Sequence, residues 1–235
     1  MLKCDAEVHR VEIAVEKICR AYGASHVDVF SIQSLIIAAV YMPDGSHSTQ
    51  SRRVFSNSSN LSRIEDYNAL SRKICEKPMP IHEVDKAIAE IKQRAPFPFP
   101  ITVIGNMLGA GSFAIFFGGT LLDGVAAALV GIVVALFSAI NFDNFSKMIK
   151  TAITSFAAAL FSCLLVHMGI GDNLDMILIG EIMLMIPGIS LGNAMRDLVC
   201  GDTLTGSSRV VQAVLIALMI ALGLAPALII AGGGL

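Results

Sequence analysis

Charge is what this sequence has least of. Asp, Glu, Lys and Arg make up 15% of its 235 residues, where soluble domains carry about 25%. Hydrophobic residues reach 54% and the mean hydropathy is +0.70, which argues against a soluble globule. Cysteine is sparse too: Cys4, Cys19, Cys75, Cys163 and Cys200 form no CxxC pair and no metal-ligand spacing. A disulfide scaffold and a metal site are therefore not expected, and the five thiols fit a reducing cytoplasm. Disorder and collagen-like repeats fail on the same apolar fraction. With a net charge of −2, neither half of the chain is basic enough for a nucleic-acid partner. No phosphate loop and no nucleophile motif is visible, so neither an enzyme nor a bound cofactor is expected. What remains is an α-helical integral membrane protein.

The charges locate the membrane part. Of the 17 Lys and Arg, all but Lys147, Lys150, Arg196 and Arg209 fall within residues 1–95. Residues 95–122 carry no charge at all, a stretch longer than the roughly 20 apolar residues a spanning helix needs. Five spans are expected, at about 101–120, 124–142, 151–170, 174–192 and 210–232. They are continuous apolar runs without the period-2 alternation of a barrel strand. Gly105/Gly109 and Gly188/Gly192 stand four apart, a spacing that permits close helix contact. Ordinary glycine abundance in membrane helices explains them equally well.

Loop charge sets the expected orientation. The 141–150 connection carries Lys147 and Lys150, and the 193–209 connection carries Arg196 and Arg209. The opposite loops hold Asp123, Asp172 and Asp175 and no basic residue. The positive-inside rule then puts the N-terminal domain in the cytoplasm and the glycine-rich C-terminus outside. Residues 1–20 read as charged and amphipathic, not as a signal peptide. The expected location is the cell inner membrane.

Residues 1–95 read as a small cytoplasmic α+β domain in the order α-β-β-β-α-α. Val8, Val11, Val15, Ile18 and Tyr22 recur at helical spacing and Gly23 stops the helix. Strands are expected over His26–Ile32, 35–42 and 48–55, with a turn at Pro43-Asp44-Gly45-Ser46. Ser62 and Glu65 form a capping-box pattern, and Ile81, Val84, Ile88 and Ile91 make the stripe of a last helix. Prolines 96, 98 and 100 predict a stiff elbow over 96–100, after which 101–235 forms the membrane domain. Glu7, His9 and Glu12 do not share one face of a helix, so they are read as a solvated surface. Arg52 and Arg53 point to opposite faces of a strand.

Within the spans, Glu181 is the most informative residue. An ionisable group at bilayer depth costs about 2.5–3.5 kcal/mol even on lenient scales and marks a transport path by default. It is read as a proton or substrate relay, against the alternative of a hydrogen bond that only fixes packing. Pro187-Gly188, six residues on, predicts a broken helix of the sort that exposes backbone groups to substrate. Asn193, Arg196, Asp197 and Asp202 follow at the cytoplasmic mouth, where the arginine fork suits a carboxylate. His167 is read as interfacial.

These residues carry a family resemblance. Glu7-Val8-His9-Arg10-Val11-Glu12, Val15-Glu16-Lys17-Ile18-Cys19-Arg20-Ala21-Tyr22-Gly23, Val27-Asp28-Val29-Phe30 and Asn60-Leu61-Ser62 resemble the N-terminal region of the threonine/serine exporter family. Pro187-Gly188-Ile189-Ser190-Leu191-Gly192-Asn193-Ala194-Met195-Arg196-Asp197-Leu198 with Gly201-Asp202 is similar to that family's membrane signature. The resemblance implies an inner-membrane exporter of threonine and serine or of dicarboxylates such as succinate. It also implies a split architecture, in which this chain pairs with a smaller membrane subunit; independently, the odd number of short, glycine-rich spans suggests assembly with a partner or with copies of itself. Family members carry a further helix before the Glu7 stretch, whereas here the chain starts almost at Cys4-Asp5-Ala6-Glu7. A membrane-anchored ligand sensor or scaffold is the competing reading. It explains the soluble domain but gives Glu181 no purpose.

Overall fold

The computed structural model describes residues 1–55, 60–95, 97–140 and 146–231. A 3-10 turn at Leu2–Cys4 leads into α1 (Val8–Ala21), then β1 (His26–Ile32), β2 (Leu35–Tyr41) and β3 (His47–Arg53). Helices α2 (Leu61–Glu76), α3 (Ile81–Gln93), α4 (Phe99–Phe116), α5 (Leu121–Ala139) and α6 (Lys147–His167) follow. Last come α7 (Leu174–Met185), α8 (Gly188–Val199) and α9 (Thr203–Ile230). The chain divides into two compact units, one of Met1–Ala95 with Gly188–Val211, the other of Pro96–Pro187 with Gln212–Leu235.

In the first unit the three strands form one antiparallel sheet in the order β1-β2-β3, with His26 opposite Tyr41 and Tyr41 opposite His47. Period-2 alternation puts Val27, Val29 and Ser31 on one face, and Val27 and Ser31 are buried. Val8, Val11 and Val15 of α1 pack with Ile36 of β2 and Ile64 of α2. Each fully buried valine is worth roughly 1.5–3 kcal/mol. Gly23 ends α1 at φ 93°, as its position after the stripe predicts. The start of α2 differs from the expectation: Asn60, not Ser62, is the cap, and its side chain accepts from Arg63 N at 3.0 Å.

The second unit is built from small residues. Its core holds Ala110, Ala114, Ala126, Ala127, Ala158, Val130 and Ile177. A Cβ on Gly111 would lie 2.8 Å from the Gly124 carbonyl, and one on Gly180 would lie 2.6 Å from the Ala110 carbonyl. Backbones touch there, which in an apolar solvent is how helices gain packing energy. These glycines are not the ones that four-residue spacing singled out. Gly105, Gly188 and Gly192 have open space around them, and of that set only Gly109 meets a neighbour, the Leu184 side chain.

Among the described residues four helices, α4, α5, α6 and α9, are long and apolar enough to cross a membrane, and the interrupted pair α7 and α8 makes a fifth if counted as one span. Each half of that pair has 12 residues, about 18 Å of helix, against a hydrocarbon core of about 30 Å. The chain is thus an N-terminal α+β domain followed by a multi-pass helical membrane region. Its boundaries differ from those read in the sequence for capping reasons. Phe99 and Pro100 belong to the first turn of α4, where proline costs no hydrogen bond. Pro96, residues 141–145 and the C-terminal glycines lie outside the described residues. Helix α5 starts at Leu121 because Thr120 and Asp123 form a capping box, which moves Asp123 out of a loop and into the helix. Ser146 likewise starts α6 early.

Candidate functional site

Two polar constellations stand out, one in each unit. The first is made by the N-terminal segment together with α8 and the opening turns of α9. The sequence places residues 193–209 in a connecting loop, but α8 restarts at Gly188 and runs to Val199, and α9 begins at Thr203. Gly201, at φ 95°, makes the turn, while Asp202 N donates to the Asp197 carbonyl. The two helices close tightly because Gly206 carries no side chain; a Cβ there would sit 2.6 Å from Leu198 Cγ. Arg209 is therefore in a helix and 2% exposed, the largest fully buried side chain among the described residues.

Around that guanidinium the polar groups converge. Arg209 Nη2 donates to the Ala6 carbonyl at 2.9 Å, Nη1 lies 3.4 Å from Asp5 Oδ1 and Nε lies 3.4 Å from Asp197 Oδ2. Asp5 also accepts from Ser190 Oγ at 2.6 Å, and its main-chain carbonyl accepts from Asn193 Nδ2 at 3.0 Å. Val8 N donates to Asp197 Oδ1 at 3.4 Å. Glu7, the N-cap of α1, makes no side-chain cap bond of its own, so Asp197 supplies the acceptor and the negative charge that a helix N-terminus favours. Glu7 instead receives Arg196 Nη1 at 2.5 Å.

Asn193, Arg196 and Asp197, singled out in the sequence, are thus brought together with Asp5, Glu7, Ser190 and Arg209. Asp202 precedes α9, its carbonyl accepts from Gly206 N, and its negative charge is felt at Asp197. The solvated-face reading of Glu7, His9 and Glu12 holds only for His9. Glu12 accepts from Ser31 N at 2.7 Å and from Ser31 Oγ at 3.1 Å. Asp5 and Arg209 carried no signal of their own, since a lone acid near a terminus and a lone arginine before an apolar run look like solvated charges.

The second constellation centres on Glu181 of α7, which is 0% exposed. Ser162 Oγ on α6 lies 3.0 Å from Glu181 Oε2 and 3.0 Å from the Ala158 carbonyl, so its single hydroxyl proton is shared between these two acceptors. Glu181 Oε1 is buried and has no hydrogen-bond partner among the described residues. Gly180, beside it, brings α7 against the α4 backbone. The helix ends at Met185, Ile186 is extended at ψ 128°, and Pro187 follows, so the break predicted past Glu181 is present. Asp123 is another buried acid of this unit, fully paired: Oδ1 accepts from Asp172 N and Asn173 N, and Oδ2 from Thr120 N and Oγ1. Among the described residues no group of three or more His, Cys, Asp or Glu is arranged to hold a metal ion.

Compared with known proteins, the sequence matches the family described as "Putative threonine/serine exporter" over residues 1–231. The chain belongs to the threonine/serine exporter family. No curated protein and no solved structure matches it. The family is one of transporters, and its match covers both constellations, from Asp5 to Arg209 in one and Ser162 with Glu181 in the other.

Proposed function

We propose that this chain is one subunit of a proton-coupled exporter of small amino acids, threonine and serine, or of dicarboxylates such as succinate. It sits in the cell inner membrane and works with a smaller membrane subunit of the same family or with further copies of itself. Residues 1–95 form the cytoplasmic domain and 101–235 the membrane domain, with the C-terminus outside. Family membership supports the transport role. The observation that carries the proton step is Glu181: a carboxylate in an apolar helix, fully buried, with one oxygen held by Ser162 and the other unpartnered among the described residues. A carboxylate there exchanges a proton at Oε1 without breaking the Ser162 bond at Oε2. Pro187 and Gly188 provide the helix break that frees backbone groups for cargo. Asn193, Arg196, Asp197 and Asp202 are the polar groups that meet it.

The experiment is reconstitution in liposomes, with and without the smaller subunit, measuring efflux of labelled threonine, serine and succinate under a pH gradient. Flux that needs the second subunit establishes the two-component exporter, and the preferred solute names the cargo. Glu181→Gln keeps the shape and removes the exchangeable charge. It is expected to abolish gradient-driven flux while the protein remains in the membrane, and undiminished flux removes Glu181 from the mechanism.

A further inference from the structure

Asp5 is held as a free ligand would be held. Its carboxylate is read at both oxygens, by Ser190 Oγ at 2.6 Å and by Arg209 Nη1 at 3.4 Å. Its own main-chain carbonyl is read by Asn193 Nδ2 at 3.0 Å. Ser190 and Asn193 are three apart and share one face of α8. Together these groups recognise a carboxylate and a second carbonyl oxygen two carbons away, and nothing in those contacts requires the carboxylate to be attached to the chain.

The way Arg209 is buried points the same way. Its side chain is 1% exposed, yet among the described residues Nε and Nη1 have no hydrogen-bond acceptor in good geometry and Asp197 Oδ2 has no hydrogen-bond donor. Ion pairs of 3.4 Å are long beside the 2.7–2.9 Å of a well-made guanidinium–carboxylate bond. A buried guanidinium with unused donors accepts a better-placed anion readily. Asp5 also holds the one positive φ, 67°, among described residues other than glycine, a backbone region that aspartate visits only occasionally.

We propose that residues 1–7 are a displaceable latch, and that Ser190, Asn193 and Arg209 form a binding site for a free carboxylate that competes with the carboxylate of Asp5. Glu7 on Arg196, whose side chain is 58% exposed, is the outer half of the same latch. As a place where cargo is read, the site rests on the exporter reading. As a binding site it is testable without flux.

Cys4 is 6% exposed and next to Asp5, so its thiol reports release of the segment. The full-length protein in lipid vesicles is alkylated with N-ethylmaleimide, and each cysteine is followed by peptide mass spectrometry. Succinate, threonine and the uncharged succinamide are compared at matched ionic strength. Succinate is expected to speed Cys4 alkylation several-fold, with succinamide inert and Cys19 and Cys75 unchanged. Asp5→Asn raises the ligand-free rate, and Ser190→Ala with Asn193→Ala removes the response to succinate. Cys4 indifferent to every carboxylate in the unsubstituted protein, or responding equally to succinamide, overturns the proposal and leaves a fixed structural clasp. Flux without a Cys4 response sinks the latch and leaves the exporter. A Cys4 response without flux upholds the site and sinks the exporter.

Discussion

At the scale of single residues, Asp123 and Glu181 are both 0% exposed acids in apolar helices, yet they behave as opposites. Asp123 spends all of its acceptor capacity on four donors, three of them backbone N–H groups around the starts of α5 and α7. Such a group is structural, because removing it takes the acceptor from four part-buried donors at once. Asp123→Ala is expected to destabilise the second unit by about 1–3 kcal/mol, since several part-buried donors and the α5 capping box lose their acceptor together. A clear drop in thermal unfolding temperature in detergent checks this, and an unchanged midpoint would refute it. Glu181 keeps one oxygen without a hydrogen-bond partner among the described residues, which fits a group that exchanges something. The sequence distinguishes the two only partly. Mid-span position marks Glu181, whereas Asp123 looks like a loop residue until its capping partner Thr120 is recognised.

At the scale of elements, the glycines that matter are those facing a neighbouring backbone. Gly180→Ala puts a Cβ 2.6 Å from the Ala110 carbonyl, and backbone yields little. The expected loss is about 1–3 kcal/mol, as for overpacked cores. Gly105→Ala meets nothing within 4 Å and is expected to be neutral or to stabilise α4 by up to about 1 kcal/mol through helix propensity. Unfolding of the two variants side by side tests the contrast, and equal effects would contradict the packing described. Four-residue spacing alone does not find these positions. It is a property of one helix, while a close approach depends on which face meets the next.

At the scale of the whole molecule, fewer loop charges bear on orientation than the sequence suggests. Arg209 is a buried helical residue paired with acids, so it no longer counts as a loop cation. Lys147, Lys150 and Arg196 still stand against Asp172 and Asp175. Cys200 is exposed in the turn between α8 and α9, and Met168 is exposed at the end of α6. A membrane-impermeant maleimide added to intact cells is expected to spare Cys200 and to label the thiol introduced by Met168→Cys. The reverse pattern would turn the protein over.

The sequence by itself determined the class of the protein, because hydropathy and local periodicity are properties of neighbouring residues. The apolar runs announced a membrane protein, the Val8-Val11-Val15 stripe announced α1, and Pro187 announced the break after Glu181. Residues 60, 120 and 146 moved the helix starts by a few positions, since capping is decided by which side chain reaches an orphan N–H. Only the tertiary structure showed that Asp5 meets Ser190 and Arg209, that Asp197 caps α1, and that Ser162 holds one oxygen of Glu181. Those pairings join residues up to 204 positions apart. No local pattern encodes such a distance, because the pairing follows from where whole helices pack rather than from what stands beside each residue.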